Sequence, residues 1–540
     1  MKNNTRITIT VILGFLMSFL MGCGNFTTPV SVISDVRWED ADCLFEVPSS
    51  VTVGEDVICG TVIVPEQHAR PDGANIQLSV AIIKSDGRAP APDPLVMFTG
   101  GPGGNIFDLA TSALSEGGKA IREERDTVFM SERGTYGASP FLDCPELTIV
   151  DEHFGAIEEE RHALTLEAYT ACHERLVSEG VNLNAYNNLE RTADVPYVMD
   201  ILGYEVYNLW GVSGGGLLTQ LVVRDYPAGV RTIMTDSGAF PTAHFTEVFI
   251  PLYSNASASY RLLFEDCAAD PSCNRQYPDL EHVFFDLVAD LNANPAAVTI
   301  ENPATGTEIE VPLTGDLFVQ TLGNLFAAVN YLPWVIYDTA NGDYTFVVGV
   351  LPGSFSGDTG ISTADGLYQS VFCAEVDQLT VDDLPADHAY PEIVEALTPF
   401  IQLNLDICDV WDVKPVPIGD VIMSDVPALI MEGAYDANKP PELGAEVAEN
   451  FSTSTFVMMG DKAHVTLGSC ATTMMVEFMK DPMQSPDTSC VQDTPSFVPP
   501  AGPIWGMVVD NLPLVILGVV VLVAMIVCLV WLVRRRKSKR

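Results

Sequence analysis

The stretch "VYNLWGVSGGGLLTQ", residues 206–220, decides the fold class. An apolar run leads into Gly-Val-Ser-Gly-Gly, and residues with helical spacing follow, so the pattern predicts a strand, a sharp turn and a helix. Glycines two residues before and after the serine leave space where a Cβ would collide with the neighbouring strand or helix. Ser213 is therefore a candidate nucleophile, with a flexible glycine loop and a phosphate-binding loop as alternatives.

The sequence lacks the residues that a phosphate-binding loop requires. The stretch has no Gly-Lys-Ser/Thr ending to hold phosphate and magnesium, and no G-x-G-x-x-G pattern. A nucleophilic serine, by contrast, needs a base and a group that orients the base. The remaining sequence must supply both if the glycine-loop alternative is to be set aside.

Candidates for both partners lie far downstream. In the order serine, acid, histidine, only His464 of the eight histidines follows a second block of strand patterns. Asp436, in "MEGAYDANKP", lies at the end of the preceding strand pattern, where the orienting acid is expected. Asp461 is the nearest rival, and its closeness to His464 favours a turn or capping role. The sequence predicts a Ser213–Asp436–His464 triad.

A glycine-rich loop near the N-terminus offers an oxyanion hole. "FTGGPGGN", residues 98–105, directly follows the strand pattern "PLVMF". The oxyanion hole of such sites combines an N–H from an early loop with the N–H of the residue after the nucleophile. Gly101 and Gly214 are the predicted donors.

Strand and helix patterns alternate along much of the chain. This predicts an α/β fold with a mostly parallel sheet and helices on both faces. Long helical patterns and one strand pair replace the alternation between residues 244 and 415. We therefore expect a hydrolase core in two parts, 46–243 and 416–480, with an inserted, mainly helical cap at 244–415. Strand patterns lie at 76–83, 94–100, 126–132, 206–212, 230–238, 426–436 and 454–465, and helical patterns at 164–180 and from Thr192 onward.

The N-terminus has the pattern of an export signal. Lys2 and Arg6 precede an apolar run, so residues 1–22 are predicted to be a signal peptide. "LMGC" after the run resembles a lipoprotein cleavage site, which makes Cys23 a candidate lipidation site. An ordinary signal peptide and an uncleaved short anchor are the alternatives. Residues 23–45 are expected to form a tether.

The C-terminus predicts a membrane anchor. Residues 512–533 are uncharged and apolar over the length that spans a hydrocarbon core. Residues 534–540, "RRRKSKR", mark the cytoplasmic side. Residues 481–511 precede this helix as a Pro-rich stalk. The predicted location is therefore the cell membrane, with the catalytic domain outside the cytoplasm.

The number of cysteines and the net charge indicate which bonds and partners the protein has. Leaving out Cys23 and Cys528, 12 − 2 = 10 cysteines remain, an even number that favours disulfides in an exported chain. No CxxC pair or His/Cys cluster indicates a metal, and no cofactor is expected. The net charge of −45 argues against a nucleic-acid partner. Pairing of sequence neighbours gives 43–59, 144–172, 267–273, 373–408 and 470–490.

Several motifs, in order, resemble the tripeptidyl-aminopeptidase-like and proline-iminopeptidase-like group of exported α/β-hydrolases. The resemblance implies the α/β-hydrolase fold and an aminopeptidase that uses the triad and no cofactor. It also implies an acid for the substrate's α-ammonium group, for which Glu375 is the candidate. The motifs are "GGPGG" (100–104), "ERGTYGASPFLDCPE" (132–146), "TADVPYVMDILGYEVYNLWGVSGG" (192–215), "GLYQSVFCAE" (366–375), "GAYDANKPP" (433–441) and "GDKAHV" (460–465).

The chain departs from that group beside the predicted triad. Thr99 replaces the histidine of HGGPG, Gly214 replaces a tyrosine, Tyr136 replaces a glycine and Ser131 replaces an aspartate. None of these changes removes a triad residue, so we expect them to affect substrate preference more than catalysis. We expect a membrane-anchored aminopeptidase that releases residues or short peptides from peptide N-termini through an acyl-enzyme. An esterase or lipase with the same triad, and an inactive binding protein, are the alternatives.

Overall fold

The computed structural model describes residues 38–499, except 154, 243, 245, 303, 356–362, 377–378, 418 and 420. The predicted signal peptide, Cys23, the membrane segment 512–533 and the basic tail lie outside the described residues. Within the described part, no helix combines the length and apolar character needed to cross a bilayer.

A nine-stranded sheet forms the centre of the fold, in the order β1-β2-β3-β5-β4-β6-β7-β10-β11. Neighbours from β5 to β11 pair parallel, whereas β1, β2, β3 and β5 pair antiparallel. The predicted α/β architecture with a mostly parallel sheet is confirmed. The strands are β1 (Trp38–Asp40), β2 (Val57–Pro65), β3 (Asn75–Ile83), β4 (Ala91–Phe98), β5 (Arg125–Met130), β6 (Tyr207–Val212), β7 (Val230–Asp236), β8 (Ala296–Glu301), β9 (Glu308–Leu313), β10 (Ala428–Gly433) and β11 (Ser454–Met459).

Helices follow most of the parallel strands. Every residue of β6 is buried, as expected for a central strand covered on both faces. The helices are α1 (Phe107–Leu114), α2 (Lys119–Arg122), α3 (Thr148–Glu152), α4 (Glu158–Ser178), α5 (Asn188–Leu202), α6 (Gly214–Asp225), α7 (Thr246–Phe249), α8 (Leu252–Ala269), α9 (Pro271–Gln276), α10 (Leu280–Ala293), α11 (Gly315–Asn324), α12 (Leu332–Ala340), α13 (Thr345–Phe355), α14 (Asp365–Glu375), α15 (Pro391–Trp411), α16 (Leu443–Glu449) and α17 (Ser469–Lys480).

The segment between β7 and β10, called the insertion below (residues 244–415), contains helices α7–α15 and the hairpin β8–β9. Its aromatic core is centred on Tyr260, whose ring lies 5.0 Å from that of Phe284 and 4.9 Å from that of Phe326. Tyr435 and Ala463 belong to the same buried cluster. Since these two residues neighbour Asp436 and His464, the insertion packs directly against the loops that carry both.

Two further contacts fasten the insertion to the loop after β10. The Tyr435 hydroxyl donates to the Asp266 carboxylate on α8. The side-chain amide of Asn255, also on α8, donates to the backbone oxygen of Asp436 at 3.0 Å. Helix α8 therefore fixes the backbone of the predicted acid.

All five predicted disulfides are confirmed: Cys43–Cys59, Cys144–Cys172, Cys267–Cys273, Cys373–Cys408 and Cys470–Cys490. The last of these ties the predicted stalk to α17. Gly460 also donates to the backbone oxygen of Gln492 at 2.9 Å, and Val498 to that of Asn330 at 2.9 Å. Up to residue 499 this segment is therefore attached to the folded domain, in contrast to the extended stalk expected from residue 481.

Three smaller boundaries also differ from expectation. Residues 38–40 of the expected tether form edge strand β1. Helix α5 begins at Asn188, before Thr192, because the Asn187 side chain accepts hydrogen bonds from the first free backbone N–H groups. One of the long helical patterns expected between 244 and 415 lies at 260–291, and the structure divides it among α8, α9 and α10, with Asp270 capping the short helix α9.

Candidate active site

Ser213 occupies the turn between β6 and α6. Its φ of 52° and ψ of −123° lie outside the conformations that a residue with a side chain ordinarily adopts. The Ser213 N–H donates to the backbone oxygen of Asp236, at the end of the neighbouring strand β7, at 2.9 Å. The turn is thus held by the sheet, and it leaves the serine side chain partly exposed.

The glycines around Ser213 allow very close backbone contacts. A Cβ on Gly215 would lie 2.5 Å from the backbone oxygen of Thr99, and one on Gly211 would overlap the backbone of Gly215. A side chain at either position would therefore force the strand, the turn and the helix apart. This is the physical reason for the G-x-S-x-G spacing.

The structure brings Ser213, His464 and Asp436 together. His464 Nε2 lies 2.9 Å from Ser213 Oγ, and His464 Nδ1 lies 2.8 Å from Asp436 Oδ2. Asp436 is fully buried, and its Oδ1 accepts the N–H groups of Asn438 at 2.9 Å and Lys439 at 3.1 Å. The geometry matches a nucleophile, a base and an orienting acid.

The rival acid, Asp461, does not hydrogen-bond to His464. Its carboxylate lies 3.2 Å from the ammonium group of Lys462, next to it in sequence. Such a partly exposed local pair contributes little to stability.

Electrostatics suit a histidine that becomes charged during a reaction. Burial alone would raise the pKa of Asp436, but the charge of His464, its hydrogen bond and Lys439 outweigh burial and lower that pKa. Burial alone would lower the pKa of His464, but Asp436 outweighs it and raises that pKa. The pair therefore stabilises an imidazolium opposite an ionised carboxylate.

The glycine-rich loop after β4 lies against the serine. A Cβ on Gly100 would be 3.0 Å from Ser213 Cβ and 3.5 Å from Ser213 Oγ. Gly101 has a φ of 110°, which favours glycine. A Cβ on Gly214 would overlap the backbone oxygen of Gly101 and lie 2.9 Å from its carbonyl carbon. The two predicted oxyanion donors are thus neighbours, and their close approach requires a glycine at position 214.

Glu375, the last residue of α14, is 6 % exposed and belongs to a buried polar cluster. The Asn188 amide donates to its Oε1 at 2.6 Å. Arg191 binds both Asn188 and the Glu132 carboxylate. Among the described residues, the hydrogen bonds of this cluster connect Glu375 to Asn188.

Sheet topology relates this cluster to the serine. Glu132 follows the end of β5 and Ser213 follows the end of β6, and both strands pair parallel with β4 between them. Parallel strands end at the same sheet edge and are spaced about 4.8 Å apart. The backbone beside Glu132 is therefore about 10 Å from the serine turn, on the same edge.

Sequence reasoning missed four charged or polar residues beside the triad. Asp236 and Ser237, at the end of β7, bind the histidine loop, and Lys439 pairs with Glu432 at 2.6 Å. All except Ser237 are ionisable groups buried within the protein. Asp236 ends β7 and Glu432 lies next to the end of β10. A position at the carboxyl end of a predicted strand was the sequence signal that could have indicated them.

One group of described residues has the spacing of metal ligands: Cys144, Glu146 and Cys172. Its two sulfurs are joined in a disulfide and cannot act as thiolate ligands. Glu146 instead pairs with Arg175 at 2.6 Å. The arrangement is a structural crosslink with an adjacent ion pair.

A family model described as "TAP-like protein" matches residues 396–490, which contain both Asp436 and His464. The tripeptidyl aminopeptidase of Streptomyces coelicolor is 26 % identical over 218 residues, which cover 38 % of this chain and 38 % of that protein. The tripeptidyl aminopeptidase of Streptomyces lividans is also 26 % identical, over 38 % of this chain and 39 % of that protein. The matched region spans less than two fifths of either relative's length.

Solved structures with a weaker likeness include an α/β hydrolase fold protein from Chitinophaga pinensis. It is 13 % identical, with a TM-score of 0.29 over 75 % of this chain and 94 % of that chain. An esterase from Exiguobacterium antarcticum is 14 % identical, with a TM-score of 0.32 over 77 % of this chain and 97 % of that chain.

Proposed function

We propose that this chain, a TAP-like α/β hydrolase, is a serine aminopeptidase that releases short peptides from the N-termini of peptide substrates. The observation that carries the proposal is the continuous hydrogen-bond chain from Ser213 through His464 to Asp436. No cofactor is required, because this chain of groups supplies the nucleophile and moves the protons.

In the proposed reaction, His464 Nε2 takes the proton of Ser213 Oγ as the oxygen attacks the substrate carbonyl carbon. The negative charge that develops on the carbonyl oxygen is stabilised by the N–H groups of Gly101 and Gly214. The imidazolium then gives its proton to the leaving amine as the C–N bond breaks. Water, deprotonated by His464, releases the acyl group and restores Ser213.

The proposed ammonium ligand is Glu375. Its cluster with Asn188, Arg191 and Glu132 contains two carboxylates and one guanidinium. An extended residue spans about 3.3 Å, so the roughly 10 Å between the serine turn and the backbone beside Glu132, one carboxylate of this cluster, corresponds to about three residues. This spacing favours release of a short peptide over release of a single amino acid.

We also propose that the insertion (residues 244–415) acts as a cap that limits access to the serine. The Ala364 N–H, just before α14, donates to the backbone oxygen of Gly103 at 2.9 Å. Together with the packing of Tyr435 and Ala463, this contact supports a cap that touches both the glycine-rich loop and the triad loops. Such a cap would restrict cleavage to the end of a chain.

An esterase is the second candidate. The observation in its favour is an apolar surface beside the base, because Val465 and Leu467 are exposed on either side of Thr466. An acyl chain of an ester would pack on such side chains. The same triad would cleave the ester without any change of mechanism.

Localisation is also a proposal: export, a membrane anchor at 512–533 and, at Cys23, a lipid. Five disulfides support an oxidising compartment outside the cytoplasm. Fractionation of cells that express the full chain, followed by protease treatment of intact cells, tests this directly. Cleavage of the catalytic domain only after cell lysis would contradict it.

The decisive test of function uses the purified protein and its Ser213→Ala variant. A fluorophosphonate should label the parent protein and not the variant, and tripeptidyl amides with a free amino group should be cleaved faster than single-residue amides. Equal labelling of the variant would refute the nucleophile. Turnover of p-nitrophenyl esters without any amide turnover would favour the esterase.

A further inference from the structure

The turn after β7, Asp236-Ser237-Gly238, contacts both the nucleophile turn and the histidine loop. Toward the nucleophile, the Asp236 backbone oxygen accepts the Ser213 N–H at 2.9 Å. Toward the histidine, Asp236 Oδ1 accepts the Thr466 N–H at 2.7 Å, and Ser237 Oγ accepts the Val465 N–H at 2.9 Å. One three-residue turn therefore binds the backbones that carry Ser213 and His464.

The histidine loop needs this support because its backbone is strained. Val465 has a φ of 72°, a conformation that is highly unfavourable for a β-branched residue. Ser237 itself has a φ of 51°, and its N–H donates to the backbone oxygen of Met431 on β10 at 2.9 Å. Strained residues persist where the surrounding contacts hold them, and here the hydrogen bonds to Val465 and Thr466 do so.

Close packing makes the turn rigid on the nucleophile side. A Cβ on Gly238 would lie 2.5 Å from the Ser213 backbone oxygen and 2.8 Å from Gly216 Cα. Asp236 and Ser237 are both fully buried. A displacement of this turn would therefore move the nucleophile turn as well.

We infer that Asp236 and Ser237 are positioning residues, whose side chains hold the His464 loop at the distance from Ser213 that proton transfer requires. The inference rests on the proposed serine-hydrolase function, but not on the choice between peptide and ester. Proton transfer needs the donor and acceptor within about 2.6–3.2 Å, so a small displacement of the loop lowers the rate. The 2.9 Å contact between His464 and Ser213 would lengthen without these two anchors.

Asp236 also adds negative charge near the imidazole. The charged groups that interact with His464 are Asp436, Lys439, Glu432 and Asp236. Burial raises the pKa of Asp236 to about 6, so the carboxylate is ionised above that pH and favours the imidazolium. Removal of its charge should lower the pKa of His464. The acidic limb of the rate profile would then move to lower pH.

The experiment compares Asp236→Ala, Asp236→Asn and Ser237→Ala with a matched control, Asp93→Asn. Asp93 is also a buried carboxylate of this sheet, but it pairs with Arg125 near the start of β4, away from the serine. For each variant, the second-order rate of fluorophosphonate labelling, kcat, KM, thermal unfolding and the pH dependence of labelling are measured on the full folded protein.

We expect the two alanine variants to label about 10–100-fold more slowly, with kcat reduced similarly and KM changed less than about twofold. Asp236→Asn keeps an oxygen acceptor for Thr466, so it should recover part of the rate while its acidic limb shifts to lower pH. Asp93→Asn should lose stability but label at the parental rate.

Parental labelling rates in folded Asp236→Ala and Ser237→Ala would overturn the inference and leave the proposed function intact. A loss of rate that matches the loss of folded protein, equal to that of Asp93→Asn, would also overturn it. Labelling of Ser213→Ala at the parental rate would instead refute the proposed function, so the two failures are distinguishable.

Discussion

Lys439 and Glu432 form an ion pair, 2.6 Å between Nζ and Oε2, and both side chains are buried. Lys439 also donates its backbone N–H to Asp436 Oδ1 at 3.1 Å. The ion pair thus connects Glu432 on strand β10 to the loop that presents the candidate acid to His464. A buried pair of this kind matters chiefly through the cost of leaving one partner alone.

The first prediction concerns this pair. Lys439→Met leaves Glu432 buried without its cation and should lower the free energy of unfolding by about 3–5 kcal/mol. The double variant Lys439→Met/Glu432→Leu removes both charges and should recover most of that loss. Urea unfolding of the parent, both single variants and the double variant measures the coupling. Additive losses would show that the two side chains do not stabilise each other.

The second prediction is a pH dependence of stability. Burial, together with Asp436 and Asp236, raises the pKa of Glu432 to about 7 against the opposing effect of Lys439, whereas an unfolded glutamate titrates near 4.5. As pH rises, the unfolded chain releases this proton at a lower pH than the folded chain does. The free energy of unfolding should therefore fall as pH rises from about 4.5 to about 7. Asp236, with its pKa raised to about 6, acts in the same direction.

In Glu432→Gln, the free energy of unfolding should decrease less between about pH 4.5 and 7, because the substitution removes the titrating group. Unfolding free energies measured from pH 4.5 to 8 test this, with Asp461→Asn as a partly exposed control. An equally steep fall in Glu432→Gln would assign the effect to other groups.

The third prediction separates the two candidate acids. Asp436→Asn should lower kcat by about 10³–10⁴-fold, because the amide cannot hold His464 in the required tautomer or stabilise its charge. Asp461→Asn should leave kcat within about twofold, since the Asp461 carboxylate pairs with its neighbour Lys462 and not with His464. Steady-state kinetics on one chromogenic amide or ester decides between them. A large effect of Asp461→Asn would contradict the assignment.

These acids differ in how well the sequence predicts their positions. The position of Asp436 beside His464 could be predicted, because Asp436 follows a strand pattern and lies between Ser213 and His464 in the serine, acid, histidine order. Asp236 and Glu432 carry only the weak signal of a strand end, and their burial beside the triad could not be predicted, because the chain has 72 acidic residues and only the folded sheet distinguishes the buried ones. Their hydrogen-bond partners, such as Thr466, are backbone groups without a sequence signature.

Strand β2 (Val57–Pro65) is not among the strand patterns predicted from the sequence. Gly60 lies in its middle, and a glycine weakens a strand interior. In the structure the Trp38 ring of β1 occupies the space where a Cβ would lie, so the glycine allows an edge strand to pack there. The Pro-rich segment from residue 481 was misread for a similar reason, because composition does not reveal the contacts that attach residues 490–498 to the domain.

The fourth prediction concerns Gly214. Gly214→Ala places a Cβ against the Gly101 backbone and should displace the glycine-rich loop. Loss of an oxyanion donor lowers kcat by about 10²–10³-fold. Gly323→Ala, in helix α11 with no atom within 4 Å of the new methyl group, is the matched control and should be neutral or slightly stabilising. Unchanged kcat in Gly214→Ala would show that the loop can move aside without cost to the reaction.

The fifth prediction tests the recognition of a free amino terminus. Glu375→Gln removes a carboxylate from the cluster with Asn188, and a lost charged hydrogen bond costs about 1.5–3 kcal/mol. By the tenfold-per-1.4 kcal/mol rule, kcat/KM on free tripeptidyl amides should fall roughly 10–100-fold. Rates on p-nitrophenyl esters should stay within about twofold, because these substrates have no ammonium group. Glu395→Gln, an exposed acid on helix α15 of the same insertion, controls for the overall change of charge. Equal losses on tripeptidyl amides and esters would mean that Glu375 supports the fold of the cluster and does not bind the ammonium group.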